Sequence, residues 1–297
     1  MVDGVQNNGT NNTGLYTGLG VAAGAALGGS YGKFMTKPYL NGDAPSDQFI
    51  RTAHDTLGEA SATKAADTAK EAAKTALKDK EIDALKAELS TNAKTYGLAE
   101  VKKADGTVEK TLDKVIEEYI GSETDKAKLA EKMTDSAAEA AKKASLDTHV
   151  SGTKLGDAID EIGKLADDAK AEDVKAAVKK HAEVFGIKAE DDAVNGVVSG
   201  KKASELKAAL EEKLKTTKET VEGFFENKKL KAEADIADDA KPAFKAVKDA
   251  ISKLTNKAAL KWGAIAAAAL GVIGLATGMA TKKAPEAPQE QNLSTQA

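Results

Sequence analysis

The stretch WGAIAAAALGVIGLATGMAT, residues 262–281, decides the fold: it is twenty residues long and carries no charge. As a helix it extends about 30 Å, which matches the hydrocarbon thickness of a bilayer. Its flanking residues are Lys257, Lys261 and Trp262 at the start and Lys282 and Lys283 at the end. Because every helix face is uncharged and lysines stand at both ends, we predict a transmembrane helix over residues 258–281; the alternative is a buried, alanine-rich core helix.

Small residues recur along this stretch at the four-residue spacing of one helix face. They are Gly263, Ala267 and Gly271 on one ridge and the pair Gly274 and Gly278 on another. In lipid, such ridges let two helix backbones approach closely enough for dispersion forces to hold them together.

A second apolar segment lies near the N-terminus, at residues 14–35. It contains LYTGLGVAAGAALGGSYGKF, and no charged residue occurs from Gly4 to Gly32. Glycines recur in it at every fourth position: Gly20, Gly24, Gly28 and Gly32. The pattern resembles the glycine-zipper segments of membrane-associated proteins, including bacterial envelope proteins, and the resemblance implies close helix packing. A flexible linker is the alternative, because glycine disfavours helix in water.

The two ridged segments can associate in two ways. They can pack against each other within one chain, or each can pair with its own copy in a second chain. We expect self-association, giving a homo-oligomer through the glycine ridges, more than a hairpin within one chain.

Between these segments, residues 46–241 have the composition of charged, alanine-rich helices. Apolar stripes at helical spacing alternate with glycine breaks, and a helix is expected to begin near Ser46. Asp105-Gly106 could at most turn a small hairpin. We therefore predict an all-α fold, an elongated helical bundle or helical hairpin stack, with hydrophobic Gly/Ala-rich membrane segments near both termini.

A weak internal repetition is visible in this middle region. Ser or Asp and Gly precede helical stretches at residues 105, 151 and 199, and aromatic-Gly-aliphatic corners occur at Tyr96-Gly97-Leu98 and Phe185-Gly186-Ile187. These features would suit a duplicated helix-loop-helix module, although helix starts often look alike.

The remaining segments complete the predicted organisation. Residues 1–13 and 282–297 are polar and expected to be disordered, and residues 36–45 form a linker. Residues 242–257 form a basic amphipathic helix next to the membrane span, with Pro242 suited to a first turn. The N-terminus lacks a basic region typical of secretion signals, so cleavage there is not expected.

The chain offers no recognisable catalytic site. His54, His149 and His181 are far apart in sequence and lack metal-ligand spacing, and His181 is expected to be a partly buried structural residue. Phosphate-binding, nucleophile-elbow and zinc-protease motifs do not occur, and the absence of cysteine excludes disulfides and thiolate sites. We therefore predict no catalytic, cofactor-binding or metal-binding residues.

Composition gives no electrostatic reason to expect nucleic acid, because the net charge is −4. The leading interpretation is a non-enzymatic, membrane-associated structural or interaction protein whose partner is the lipid bilayer. Counting lysines on either side of the spans places the middle region in the cytoplasm.

Two alternatives remain open. One is a secreted or virion-carried protein that inserts into membranes conditionally. The other is a soluble stress-type protein, because SATKAADTAKEAAKTALKDK, residues 61–80, resembles the repeats of late-embryogenesis-abundant proteins.

Overall fold

The computed structural model describes residues 13–280, and within them the chain is mainly α-helical, which confirms the predicted all-α class. The helices are α1 (Thr13–Ser30), α2 (Asp47–Leu77), α3 (Ile82–Asn92), α4 (Leu112–Ile120), α5 (Lys126–Thr148), α6 (Gly152–Ile162), α7 (Ala171–Lys180), α8 (Asp191–Val198), α9 (Ala203–Gly223) and α10 (Lys241–Ala280). The strands are β1 (Leu40–Asn41), β2 (Ala44–Pro45), β3 (Val101–Lys102), β4 (Val108–Lys110), β5 (Phe225–Glu226) and β6 (Lys229–Leu230). The predicted disordered ends, and with them Lys282 and Lys283, lie outside the described residues, apart from Thr13.

The chain divides into two compact units. Unit 1 comprises Met1–Gly42 and Ile251–Ala297, and unit 2 comprises Asp43–Ala250. Helix α10 is 40 residues long and continuous, so the predicted amphipathic helix 242–257 and most of the predicted span 258–281 form a single element. Pro242 is its second residue, where a missing backbone N–H costs nothing.

Two local predictions about unit 2 are confirmed. Ser46 is the N-cap of α2, and its hydroxyl accepts a hydrogen bond from the Phe49 N–H at 3.2 Å. The Asp105-Gly106 turn joins β3 and β4 as an antiparallel hairpin, with Val101 opposite Lys110.

Two of the hydrophobic cores of the chain lie within unit 2. The first lies among the C-terminal part of α2 and helices α3, α4 and α5, and its buried residues are Ala73, Leu77, Leu85, Leu89, Ala93, Tyr96, Ile116, Leu129, Met133 and Ala137. The second lies among α6 to α9, and its largest buried residues are Leu155, Ile162, Val178, Val184, Leu206 and Leu210. Helix α2 packs along α5, α6 and α9.

The helices of the two cores follow the same order, although the β3–β4 hairpin occurs only in the first. Helix α3 ends in a 3-10 turn and a glycine before α4 and α5, and α7 does the same before α8 and α9. Gly97 and Gly186 have φ of 71° and 70°, a left-handed conformation that side chains with a Cβ disfavour. The N–H of Leu98 donates to the Ala93 carbonyl at 2.9 Å, and the N–H of Ile187 donates to the Ala182 carbonyl at 3.1 Å.

The buried positions of the two groups correspond as well. Leu129 and Met133 lie four and eight residues after the N-cap Asp125, and Leu206 and Leu210 lie at the same distances after the N-cap Lys202. The structural correspondence therefore relates α3–α5 to α7–α9, and it differs in position from the repetition at residues 105, 151 and 199 in the sequence.

Unit 1 consists of α1, a π-helical turn at Tyr31–Met35 and the C-terminal part of α10. Tyr16 lies beside Gly274, and Gly32 lies beside Ala258. The two helices are therefore antiparallel neighbours within one chain.

Candidate functional site

Four glycines form the contact surface with α10, three of them in α1 and Gly32 in the π-helical turn that follows. A Cβ atom placed on any of these four would come within 3.0 Å of a backbone carbonyl of α10, which real Cβ atoms essentially never do. The pairs are Gly20 with Leu270, Gly24 with Ala266, Gly28 with Trp262 and Gly32 with Ala258. The close approach of the two backbones therefore requires glycine at these four positions.

Helix α10 contributes small residues to the same contact. A Cβ on Gly274 would meet the Tyr16 carbonyl within 3.0 Å, and one on Gly271 would lie 2.8 Å from Val21 Cγ2. Gly263 is more loosely packed, since its Cβ position is 3.2 Å from the Ala25 carbonyl oxygen. The Ala267 Cα lies 2.6 Å from the Cβ position on Gly24, and Gly278 lies in the last turn of α10.

The large apolar side chains of the helical hairpin formed by α1 and the C-terminal part of α10 are largely exposed. Leu27 is 67% exposed and Leu260 is 76% exposed. The other large exposed residues of unit 1 are Leu15, Tyr16, Leu19, Val21, Tyr31, Phe34, Met35, Trp262, Ile265, Val272, Ile273, Leu275 and Met279. Small residues thus form the interior and large apolar residues the exterior, which is the reverse of a water-soluble core.

One end of the hairpin, which we call the base, carries aromatic and basic residues. The rings of Tyr31 and Trp262 meet edge to face, with centroids 5.3 Å apart. Lys257 and Lys261 lie in α10 just before Trp262 and are exposed, as are Lys33 and Lys37 on the α1 side.

Unit 2 contains a polar contact that the sequence analysis missed, centred on Arg51, the only arginine of the chain. Its guanidinium donates two hydrogen bonds of 2.8 Å to the two carboxylate oxygens of Asp160. This fork lowers the pKa of Asp160 and raises that of Arg51. Gly152 and Gly156 leave room for the Arg51 backbone and side chain. In the sequence, the four-residue spacing of Gly152, Gly156 and Asp160 could have indicated this contact, because it places the three residues on one face of a helix.

The structure also brings together His54 and His149, which are 95 positions apart in the sequence. Their rings stack with centroids 4.7 Å apart. His54 Nε2 donates to the Val150 carbonyl oxygen at 3.1 Å, and its Nδ1 accepts from the Thr217 hydroxyl at 2.9 Å, since a carbonyl can only accept. Burial and then the neighbouring His149 lower the pKa of His54.

The surroundings of His149 complete this cluster. Its ring lies over Gly58, where a Cβ would overlap the imidazole. His149 Nε2 is 3.5 Å from Asp55 Oδ1, but it is buried and makes no hydrogen bond with the described residues. Asp55 Oδ1 instead accepts the Gly152 N–H at 2.7 Å, at the start of α6. The histidines therefore hold the α5–α6 corner against α2 and α9.

His181 lies apart from that cluster, as a half-buried residue that follows α7. Its Nε2 is 2.9 Å from Glu161 Oε2. Across residues 13–280, no group of three or more His, Asp or Glu side chains is arranged to hold a metal ion.

Length and composition single out one described helix as able to cross a membrane, Lys241–Thr277. Only 11% of its most apolar stretch is buried, whereas the core helix of a soluble protein would be mostly buried. Comparisons with protein-family models, with curated proteins and with solved structures find no match to this chain.

Proposed function

We propose that this chain is a non-enzymatic, membrane-associated protein held in the bilayer by the hairpin of α1 and the C-terminal part of α10. The observation that supports this proposal is the inverted distribution of side chains in unit 1. Glycines occupy the helix contact and leucine, isoleucine, valine and phenylalanine face outward, as in helices surrounded by hydrocarbon.

The dimensions of the hairpin fit the same role. Helix α1 has 18 residues, and residues 262–280 of α10 have 19, so each extends about 27–29 Å along its axis. No charged residue lies in either stretch, and the close antiparallel backbone contact is the kind of packing expected of a glycine zipper, which supports the proposal. If both helices span the membrane, the chain enters and leaves unit 2 at the base. The positive-inside rule then favours the cytoplasm for unit 2, because the base carries four lysines.

Carbonate extraction of membranes from cells that express the full chain tests the anchor. We expect the full chain to remain in the membrane pellet and a chain ending at Lys257 to be released. Recovery of both in the soluble fraction to the same extent would contradict the proposal.

Charge substitutions on the exterior distinguish a lipid-facing surface from a water-facing one. Ile265→Lys combined with Val272→Lys should release the protein, because a lysine at the centre of a membrane helix, where Val272 lies, costs about 3 kcal/mol. The matched control is Leu146→Lys in unit 2, a residue that is also exposed and should tolerate the change. If the double substitution leaves extraction unchanged, these side chains do not face lipid.

A further inference from the structure

Unit 1 has an unusual charge composition. Its described residues contain five lysines and no aspartate or glutamate. Residues 43–250 instead contain 36 Lys or Arg and 44 Asp or Glu. The positive charge of unit 1 is therefore a local property in a chain whose net charge is −4.

Four of these lysines lie at the base of the hairpin and will be called the base lysines: Lys33, Lys37, Lys257 and Lys261. They lie within six residues along the chain of Tyr31 or Trp262, and all four are exposed. Amphipathic aromatic rings mark the level of the lipid headgroups in membrane proteins, so the Tyr31–Trp262 pair places the base lysines at the phosphate level.

A groove in unit 1 lies at the same level. It is lined by the small apolar residues Ala26, Gly29 and Ala259 and by the polar residues Ser30, Lys33 and Asn256. Phe34 also lines it, and Lys33 Nζ lies 5.7 Å from the centre of that ring. Apolar and polar groups side by side fit a molecule that has an acyl chain next to a charged headgroup.

We propose that the base lysines bind anionic phospholipid headgroups, so that acidic lipids are enriched around the base. This inference rests on the proposed membrane anchoring, because the base lysines reach headgroups only when the hairpin lies in a bilayer. Each lysine near an anionic surface contributes about 1 kcal/mol, which corresponds to about a fivefold preference. A neutral, zwitterionic surface would gain nothing comparable.

The single tryptophan of the chain provides a local measurement, because Trp262 stands at the base. The full chain is reconstituted in bilayers of equal parts phosphatidylcholine and phosphatidylglycerol. Brominated acyl chains are carried either by the neutral lipid or by the anionic lipid, and quenching of Trp262 fluorescence reports which lipid surrounds it. We expect the anionic lipid to be at least about threefold enriched at low salt, with the enrichment falling as salt screens the charges.

Two variants test the role of the base lysines. Changing all four to Gln should abolish the enrichment of the anionic lipid, while Trp262 remains quenched equally by both lipids. The matched control changes Lys142, Lys143, Lys175 and Lys188 of unit 2 to Gln, which alters the net charge equally and should leave the enrichment in place.

The outcomes separate the two proposals. Equal quenching by both lipids in the unmodified protein would overturn the headgroup proposal and leave the anchor intact. Quenching by neither lipid would overturn the anchor, and the headgroup proposal with it. Equal loss of enrichment in the control variant would also overturn the specific role of the base lysines.

Discussion

At the scale of single residues, His54 is the side chain whose environment most directly couples stability to pH. Its neutral ring donates to Val150 and accepts from Thr217, and it stacks on His149. The titratable groups that face it are His149 from the α5–α6 corner and Asp55 from α2. Protonation of Nδ1 would replace an acceptor with a donor and add a positive charge beside a second imidazole.

The sign of the pH dependence follows from the lowered pKa of His54. As pH falls below about 6.5, the unfolded chain takes up a proton more readily than the folded chain, so stability is lost from there down to the folded pKa. We expect the free energy of unfolding of the full chain in detergent, measured with urea by circular dichroism, to decrease between about pH 7 and pH 5.

One variant locates that dependence at His54. His54→Gln should be less stable at neutral pH but show a shallower decrease on acidification. A slope that is unchanged in His54→Gln would show that other groups produce it.

At the scale of elements, the same left-handed glycine conformation occurs in both cores of unit 2. It lies at the corner after α3, at Gly97, and at the corner after α7, at Gly186. Gly186→Ala places a Cβ in open space but in the left-handed region, so we expect a loss of about 1–2 kcal/mol in the free energy of unfolding. Gly97→Ala should cost at least as much, since its Cβ would also lie 3.3 Å from Ala140 Cβ.

Gly196 in α8 is the control for these corners. It has ordinary helical φ and nothing within 4 Å of its Cβ position, so Gly196→Ala should be neutral or slightly stabilising. Urea unfolding of the three variants measures the difference. A loss at Gly196 equal to that at Gly186 would mean that backbone conformation is not the cause.

Much of the element structure could be predicted from the sequence because its causes are local. Helical periodicity, the Ser46 cap and the Asp105-Gly106 turn each depend on a few neighbouring residues, and all three predictions are confirmed. The Arg51–Asp160 fork and the His54–His149 stack could not be predicted, because each joins residues brought together only by the packing of α2 against α6 and the α5–α6 corner.

The glycine ridges could be predicted in part: the sequence identifies the contact residues but not the helix that they contact. The four-residue spacing in each segment identified the residues that the structure places in the contact, from Gly20 to Gly32 and at Gly263, Ala267, Gly271 and Gly274. The spacing alone does not indicate which helix packs against each ridge. Self-association and a contact within one chain could therefore not be distinguished from the sequence.

At the scale of the whole molecule, unit 2 should fold without the apolar helices. Residues 43–250 contain both hydrophobic cores, and we expect them to be soluble, strongly helical and cooperative in thermal unfolding. Circular dichroism over a temperature ramp measures this. A helical signal that declines without a transition would favour the stress-protein alternative, and a dominant β signal would contradict the fold.

The central claim is that the two apolar segments form one glycine-packed hairpin in a bilayer, within a single chain. Cysteines at Val21 and Val272 test it most directly, because Val21 packs on Gly271 and the chain has no cysteine of its own. After reconstitution of two differently tagged copies in liposomes, a short bifunctional thiol reagent is added and the products are separated by mass. We predict crosslinks within single chains, lost in Gly24→Leu and retained in Gly18→Leu, whose Cβ position is open. Crosslinks only between differently tagged copies, or crosslinks indifferent to Gly24→Leu, would contradict the hairpin.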